Sequence, residues 1–260
     1  MFGLGKKREL SAACVTTSEK GLVRKDNQDS VLVDDTKTFF CVADGMGGGA
    51  EGATASRFVC EALGEVTAQA TLVERMEAVD AAIRAANDRI RAYAGERHFA
   101  QMGSTVAVLL IDPADSHRGA ICHVGDSRVY RVRRGCAELL TKDHTIGNQL
   151  SAFAHGRQAV DLKSRTNPLA HVLTRVVGVE AKVSGDWRKV DIAEGDAFLV
   201  CSDGVHDVIA DSLIGEILSV SADLSAASKR LQDEIVRNGA PDNYSYVMIE
   251  MGGTDERRKT

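Results

Sequence analysis

Two apolar runs in this chain each stop on an aspartate and a glycine: Thr38 to Gly45 (TFFCVADG) and Ala197 to Gly204 (AFLVCSDG). A carboxylate at the end of a buried strand loses solvation and either takes up a proton or finds a cation. Two such ends brought together make a metal site, whereas each alone is also an ordinary Asp-Gly turn. The following glycine lets backbone come close to an ion or anion. Asp126, in GDSR after a strand-like run, and Asp242, in PDN just before the last run, are placed in the same way. Arg24, five residues before Asp29 in RKDNQD, adds a planar guanidinium of the kind that grips phosphate oxygens through two parallel hydrogen bonds. Four carboxylates and one arginine suit metal-assisted hydrolysis of a phosphate ester.

A nucleotide fold competes for the same glycines. Gly45, Gly47 and Ala50 satisfy the GxGxxG/A spacing. A dinucleotide unit needs a second parallel strand ending in an acid about 20 residues later, but helical pattern continues there through Glu65. Asp44 would also set negative charge against a pyrophosphate, and no GxxxxGK[ST] loop occurs.

The 260 residues suffice for one sizeable core, and 32 Lys and Arg against 37 Asp and Glu leave a net charge of -5. That balance argues against a sequence-independent grip on nucleic acid. The six cysteines show no CxxC spacing, and Cys41, Cys60 and Cys201 lie in apolar stretches as small hydrophobes, which favours the cytoplasm. No run approaches the ~20 apolar residues of a membrane span, so no membrane partner is expected. The expected organisation is a flexible N-terminus over 1–9, one domain over 10–252, and a flexible tail over 253–260.

Strand-like runs fall at Ser11 to Thr17, Ser30 to Val33, Phe39 to Ala43, Thr105 to Ile111, Ala120 to Val124, Val129 to Val132, Ala197 to Cys201 and Tyr244 to Met251. Leu72, Met76, Val79, Ile83, Ala86, Ile90 and Tyr93 form one helical stripe; Glu51 to Val66 and Leu224 to Val236 form two more. Strands cluster with few helices between them, which predicts antiparallel sheets flanked by helices, an α+β fold. Residues 143–175 mix polar residues with Phe153, Leu162, Leu169 and Leu173 and read either as a mobile flap or as a packed insertion of short helices.

Taken in order, GLVRKDNQDS, VADGMGG, MGSTVAVLL, HVGDSRVYR, CSDG and PDNYS resemble the motifs of the metal-dependent protein phosphatase family, protein phosphatase 2C, in its short bacterial form. The resemblance spans residues 21–249 and implies a four-layer αββα sandwich with a two-metal site at one end. It implies that Asp44 bridges two Mn2+ or Mg2+ ions, that Asp203 and Asp242 complete the first, and that the Gly45 carbonyl helps bind the second. It further assigns metal-bound waters to Gln28 and Asp29, the substrate phosphate to Arg24, and a third, weaker ion to Asp126. Hard oxygen ligands without His or Cys fit Mg2+ or Mn2+ rather than zinc. The implied reaction is direct attack of a metal-bridging hydroxide on phosphoserine or phosphothreonine, with no covalent enzyme intermediate. A monomer acting on phosphoproteins, opposite a bacterial serine/threonine kinase, is the implied setting; a catalytically weak phosphate-sensing module of the same fold is the alternative.

Two departures from the family pattern stand out. Gln28 replaces a glutamate common in the family, and Met46 replaces the histidine that animal members place after DG; a thioether cannot donate a proton to a leaving group. Cys201 reads as strand core, His123, His144 and His206 as structural or as groups that support the ligands from behind, and Ser127, Arg128 and Ser202 as turn-orienting. Trp187 reads as a partly covered surface aromatic, and Arg131, Arg133 and Arg134 as a solvated strand end.

Overall fold

Alternate residues of β3 (Phe39–Met46) serve two different cores, which is why its sequence is apolar without a break. Phe39, Cys41 and Ala43 face a helical layer, while Phe40 and Val42 face a second sheet. The structure, a computed structural model, describes residues 8–66, 71–99, 101–154 and 167–253. One sheet orders β2 (Asp29–Val33), β3, β5 (Val106–Ile111), β6 (Arg118–Val124) and β9 (Asp186–Asp191), with the short β4 (Gly103–Ser104) pairing the end of β3. The other orders β1 (Leu10–Glu19), β11 (Tyr244–Gly253), β10 (Ala197–Cys201), β7 (Arg128–Arg133) and β8 (Cys136–Leu139). All pairings of these strands are antiparallel.

Helices α1 (Ala50–Gly64) and α2 (Leu72–Arg97) cover the first sheet through Phe58, Val59, Val79 and Ile83. Thr71 and Glu74 form a reciprocal capping box that fixes where α2 starts. On the second sheet lie α5 (Asp211–Val220) and α6 (Leu224–Arg237), whose Ile214, Ile217, Leu231 and Ile235 meet Tyr130, Leu199, Tyr246 and Met248. The result is the expected αββα sandwich. The short α3 (Ile146–Ser151), a 3-10 turn at Pro168–His171, and α4 (Asp203–His206) complete the described helices.

Several expectations need amendment. β11 extends to Gly253 and pairs Leu10 with it, so ordered sheet reaches one residue past the expected boundary. Within the 143–175 segment the described parts carry α3 and the 3-10 turn; Leu162 lies outside the described residues. Trp187 is partly covered, as expected, and the fold supplies its cover: on β9 it packs on the α1–α2 core, and its Nε1–H donates to Asp80 Oδ2 at 3.1 Å.

Arg131 and Arg133 are not a solvated strand end, although Arg134 sits exposed in the following turn. Arg133 grips Asp196 with two bonds of 2.6 and 2.7 Å and Asp191 at 2.7 Å. Arg131 and Arg188 both hold Glu138. These pairs tie β7 and β8 of one sheet to the end of β9 in the other. Because Asp196 is buried and keeps only the Ala193 N–H without this arginine, Arg133→Met should destabilise the fold by ~2 kcal/mol, read as an earlier urea midpoint at unchanged m.

Candidate active site

The ends of β2, β3 and β10 and the turns beside β7 and β11 converge at one rim of the sandwich. Antiparallel pairing of β2 and β3 sets Asp29 opposite Asp44. Asp203 opens α4 directly after β10, Asp126 occupies the β6–β7 turn, and Asp242 precedes β11. Asp29 and Asp126 are buried, and Asp44 and Asp203 are half-buried.

Burial, then the like charges of Asp29, Asp203 and Asp126, push the Asp44 carboxyl well above its ordinary range. Burial does the same to Asp126, with Asp203 next in effect. Asp203 is raised by burial and by Asp207 and Asp242. Asp29 is pushed up to about 7 by burial, although the Ser202 hydroxyl donates to its Oδ2 at 2.8 Å and opposes the shift. Asp29 Oδ1 and Asp203 Oδ1 are buried with no hydrogen-bond partner. Repelling carboxylates with orphaned oxygens fit divalent cations, whose positive charge would remove both costs.

Arg24 enters from the β1–β2 loop, and its Nη2 donates to Asp242 Oδ2 at 2.6 Å. That bond is the largest cause of its raised pKa, and the fields of Asp242, Asp203 and Asp44 add to it. The guanidinium is about half exposed, so it keeps donors free for an incoming anion. Asp242 also accepts the Asn243 N–H at 2.7 Å through Oδ1. Thus the structure brings Arg24, Asp29, Asp44, Asp126, Asp203 and Asp242 to one site. Gln28 and Gly45 stand at its edge, where the Gly45 N–H donates to the Gln28 carbonyl at 3.1 Å.

The glycines after the acids have a use besides the expected one. A Cβ on Gly45 would lie 1.9 Å from the Gly52 carbonyl oxygen, and one on Gly204 would lie 1.9 Å from that of Asn243. Neither has a positive φ. Both let two pieces of the chain's own backbone touch, which brings α1 and the PDN turn up to the carboxylates.

Two organising residues escaped sequence reading. Thr105 exchanges bonds with Asp44, donating its N–H to the Asp44 carbonyl at 2.8 Å and accepting the Asp44 N–H on Oγ1 at 3.0 Å. Its hydroxyl also bonds Ser127 at 2.6 Å, so it ties the end of β3 to the Asp126 turn. Asn243 accepts the Gln28 N–H on Oδ1 at 2.9 Å and donates Nδ2 to the carbonyls of Lys20 and Asp26 at 2.8 and 2.9 Å. It thereby folds the loop that carries Arg24. The MGST and PDN strings held both residues, but only contacts across the fold reveal the bonds.

His123, His144 and His206 make structural contacts. His144 accepts the Gly125 N–H on Nδ1 at 3.1 Å and gives its own N–H to the Gly125 carbonyl at 3.0 Å, which clamps the Asp126 turn. Burial first, then His123, lowers it to about 4, leaving it neutral. His123, His144 and Asp186 do gather ligand atoms within 4.8 Å. The Arg175 guanidinium, however, lies 2.6 Å from Asp186 Oδ1 and 2.9 Å from His144 Nε2, so a fixed cation already occupies that place. His206 faces the Asp126 carbonyl at 3.1 Å. Ser127 and Ser202 bond as turn-orienting groups should, and Arg128 clasps Asp143 at the base of the 143–175 segment.

The family model described as Protein phosphatase 2C matches residues 17–239. This chain belongs to the protein phosphatase 2C family. It is 32% identical to the serine/threonine protein phosphatase PstP of Mycobacterium tuberculosis over 90% of its length, and spans 44% of that relative. A solved PstP catalytic domain in complex with two manganese ions is similar at a TM-score of 0.79 and 32% identity, covering 94% of this chain and 99% of that one. The serine/threonine phosphatase stp of Listeria monocytogenes is 29% identical over 93% of this chain and 96% of its own length. The structure of PppA, described as a key regulatory component of T6SS in Pseudomonas aeruginosa, is similar at a TM-score of 0.81 and 31% identity, covering 93% of this chain and 98% of PppA. This protein phosphatase 2C chain therefore shares both the sandwich and most of its length with bacterial serine/threonine phosphatases.

Proposed function

We propose that this chain is a metal-dependent serine/threonine phosphoprotein phosphatase. The observation that carries this reading is the set of mutually repelling carboxylates with orphaned oxygens, Asp29 and Asp203 among them, beside an arginine that has free donors. Asp44, Asp203, Asp242 and the Gly45 carbonyl would hold two Mn2+ or Mg2+ ions, and Asp126 a third, weaker one. When bound, such ions supply an activated water nucleophile at neutral pH and neutralise charge on the phosphoryl group. The two manganese ions in the PstP catalytic domain support the choice of metal.

The chain's own groups do the rest. Arg24 would bind the substrate phosphate through its fork of donors, its stem steered by Asp242. Asp29, held by Ser202, would accept a hydrogen bond from a water at the site once ionised. Cys201 supplies no nucleophile: it is buried on β10, and burial pushes its thiol up, away from the thiolate form. Met46, half-buried at the end of β3, offers no proton to a leaving alkoxide, so that step falls to water or another group.

We place the enzyme in signal transduction opposite a serine/threonine kinase, in the cytoplasm. Six free cysteines support a reducing compartment, and among the described residues no helix is long and apolar enough to cross a membrane. The reading is tested by hydrolysis of a phosphothreonine peptide with saturating Mn2+. Turnover is expected, and Arg24→Ala should raise KM by ~10-fold or more through loss of a charged, bidentate phosphate contact. Absence of turnover in the unaltered protein would sink the proposal.

A further inference from the structure

We infer that Gln28 is a positioning residue that latches the glycine loop running from the end of β3 to α1, and that its amide rather than a carboxylate is what this chain requires there. The inference rests on the phosphatase reading for its consequence, but its geometry stands in the protein without metal. Gln28 Nε2 donates to the Gly49 carbonyl at 2.8 Å. Only the nitrogen end of the amide can face a carbonyl, so the chemistry fixes which way the group points. The other end, Oε1, lies over α1 so closely that a Cβ on Gly52 would come within 2.7 Å of it. The main chain of Gln28 continues the clasp: its carbonyl accepts from Gly45 N–H at 3.1 Å and from Ser56 Oγ at 2.5 Å, and its N–H donates to Asn243 at 2.9 Å.

The segment so held needs holding. Gly47, Gly48 and Gly49 all have positive φ, of 138°, 84° and 59°, and a run of three glycines has the most backbone freedom to lose. No side chain caps the α1 N-terminus: Gly49 is its N-cap. The Gln28 side chain bonds the N-cap residue from outside, and so sets the start of α1 and the path of the chain from Asp44 to Gly49. A glutamate here would set a carboxylate oxygen against the Gly49 carbonyl and add a charge beside Asp29 and Asp44. The residue that looks like a weakened metal-water ligand is thus suited to a different task.

Two variants separate the tasks. Hydrogen–deuterium exchange of the metal-free protein reads the loop, and calorimetric titration with Mn2+ reads the site. Both Gln28→Glu and Gln28→Ala should speed exchange of the 47–50 amides about fivefold, the ratio carried by one neutral hydrogen bond. Both should also weaken Mn2+ binding by a similar factor, while β10 and β11 keep their protection. A Gln28→Glu protein that binds Mn2+ more tightly than the parent, or that shows parental exchange in the loop, would overturn the latch. Loss of protection in β10 and β11 as well would overturn a local role. If the parent lacks phosphatase turnover but the loop responds as stated, the activity reading fails while the latch stands.

Discussion

Asp44→Asn should have two effects of opposite sign: phosphatase turnover with saturating Mn2+ falls by at least ~100-fold, and the metal-free protein melts at a higher temperature. The first follows from the place of Asp44 between Asp29, Asp203 and Asp126, where an amide supplies one neutral oxygen in place of a charged pair. Losing a residue that merely orients a metal ligand costs up to ~100-fold, so losing the central ligand costs no less. The second follows from the same field. Without metal Asp44 sits half-buried among like charges, and folding raises its pKa, so at pH values where the unfolded carboxylate is ionised this group opposes folding. Asparagine removes the charge with little change of shape. At roughly 2–4 °C per kcal/mol for a domain near this size, a gain of several degrees in EDTA is expected by calorimetry. A lower melting temperature in EDTA would mean that Asp44 stabilises the fold, contrary to the electrostatics above. Activity near the parental level would show that it is not the central ligand.

The carboxylates were legible because a strand that ends in Asp-Gly is a local pattern, and two such ends in order with the aspartates of GDSR and PDN carry their own cross-check. The helices α1, α2 and α6 were legible for a like reason, since long stripes of period 3.6 average out exceptions. What stayed hidden depends on partners distant in sequence. β9 buries only Val190 fully and alternates with exposed charges, so the sequence shows no partner for Trp187. Its indole meets Asp80, 107 residues away. The partners of Arg133, Asp196 and Asp191, are also remote, at 63 and 58 residues, so a charge cluster that is neutralised in the fold looks solvated in the sequence. Asn243 has no periodicity at all; its three bonds are visible only once the β1–β2 loop lies against it. At the Asp-Gly glycines the close approach that the fold adds is to backbone of the same chain. Packing of that kind leaves no trace in a single sequence.

Stability of the metal-free protein should fall as pH rises from about 6.5 to about 8, and Mn2+ should reverse the trend. Unfolded aspartates lose their protons near pH 4, whereas folded Asp29 keeps its proton up to about 7 and Asp44 and Asp126 are raised well above the ordinary range. The native state therefore binds more protons than the unfolded one. The stability these groups contribute is complete below the unfolded pKa and is lost as pH rises through the folded values. His144 works in the other direction, because it is neutral in the fold down to about 4 and costs stability as pH falls below 6.5. At 6.5 the unfolded imidazole is half protonated, so His144 offsets the fall by no more than ~0.4 kcal/mol across the window, and stopping near 8 stays below the range where exposed thiols ionise. Divalent cations compete with these same protons, so Mn2+ binds more tightly as pH rises. At 100 times its dissociation constant a ligand adds ~2.7 kcal/mol, enough to raise the melting temperature by ~5–10 °C. Melting curves in EDTA and in excess Mn2+ should accordingly diverge across this window. Curves that stay parallel, or an EDTA curve that rises with pH, would show that the buried carboxylates are already ionised and balanced without metal.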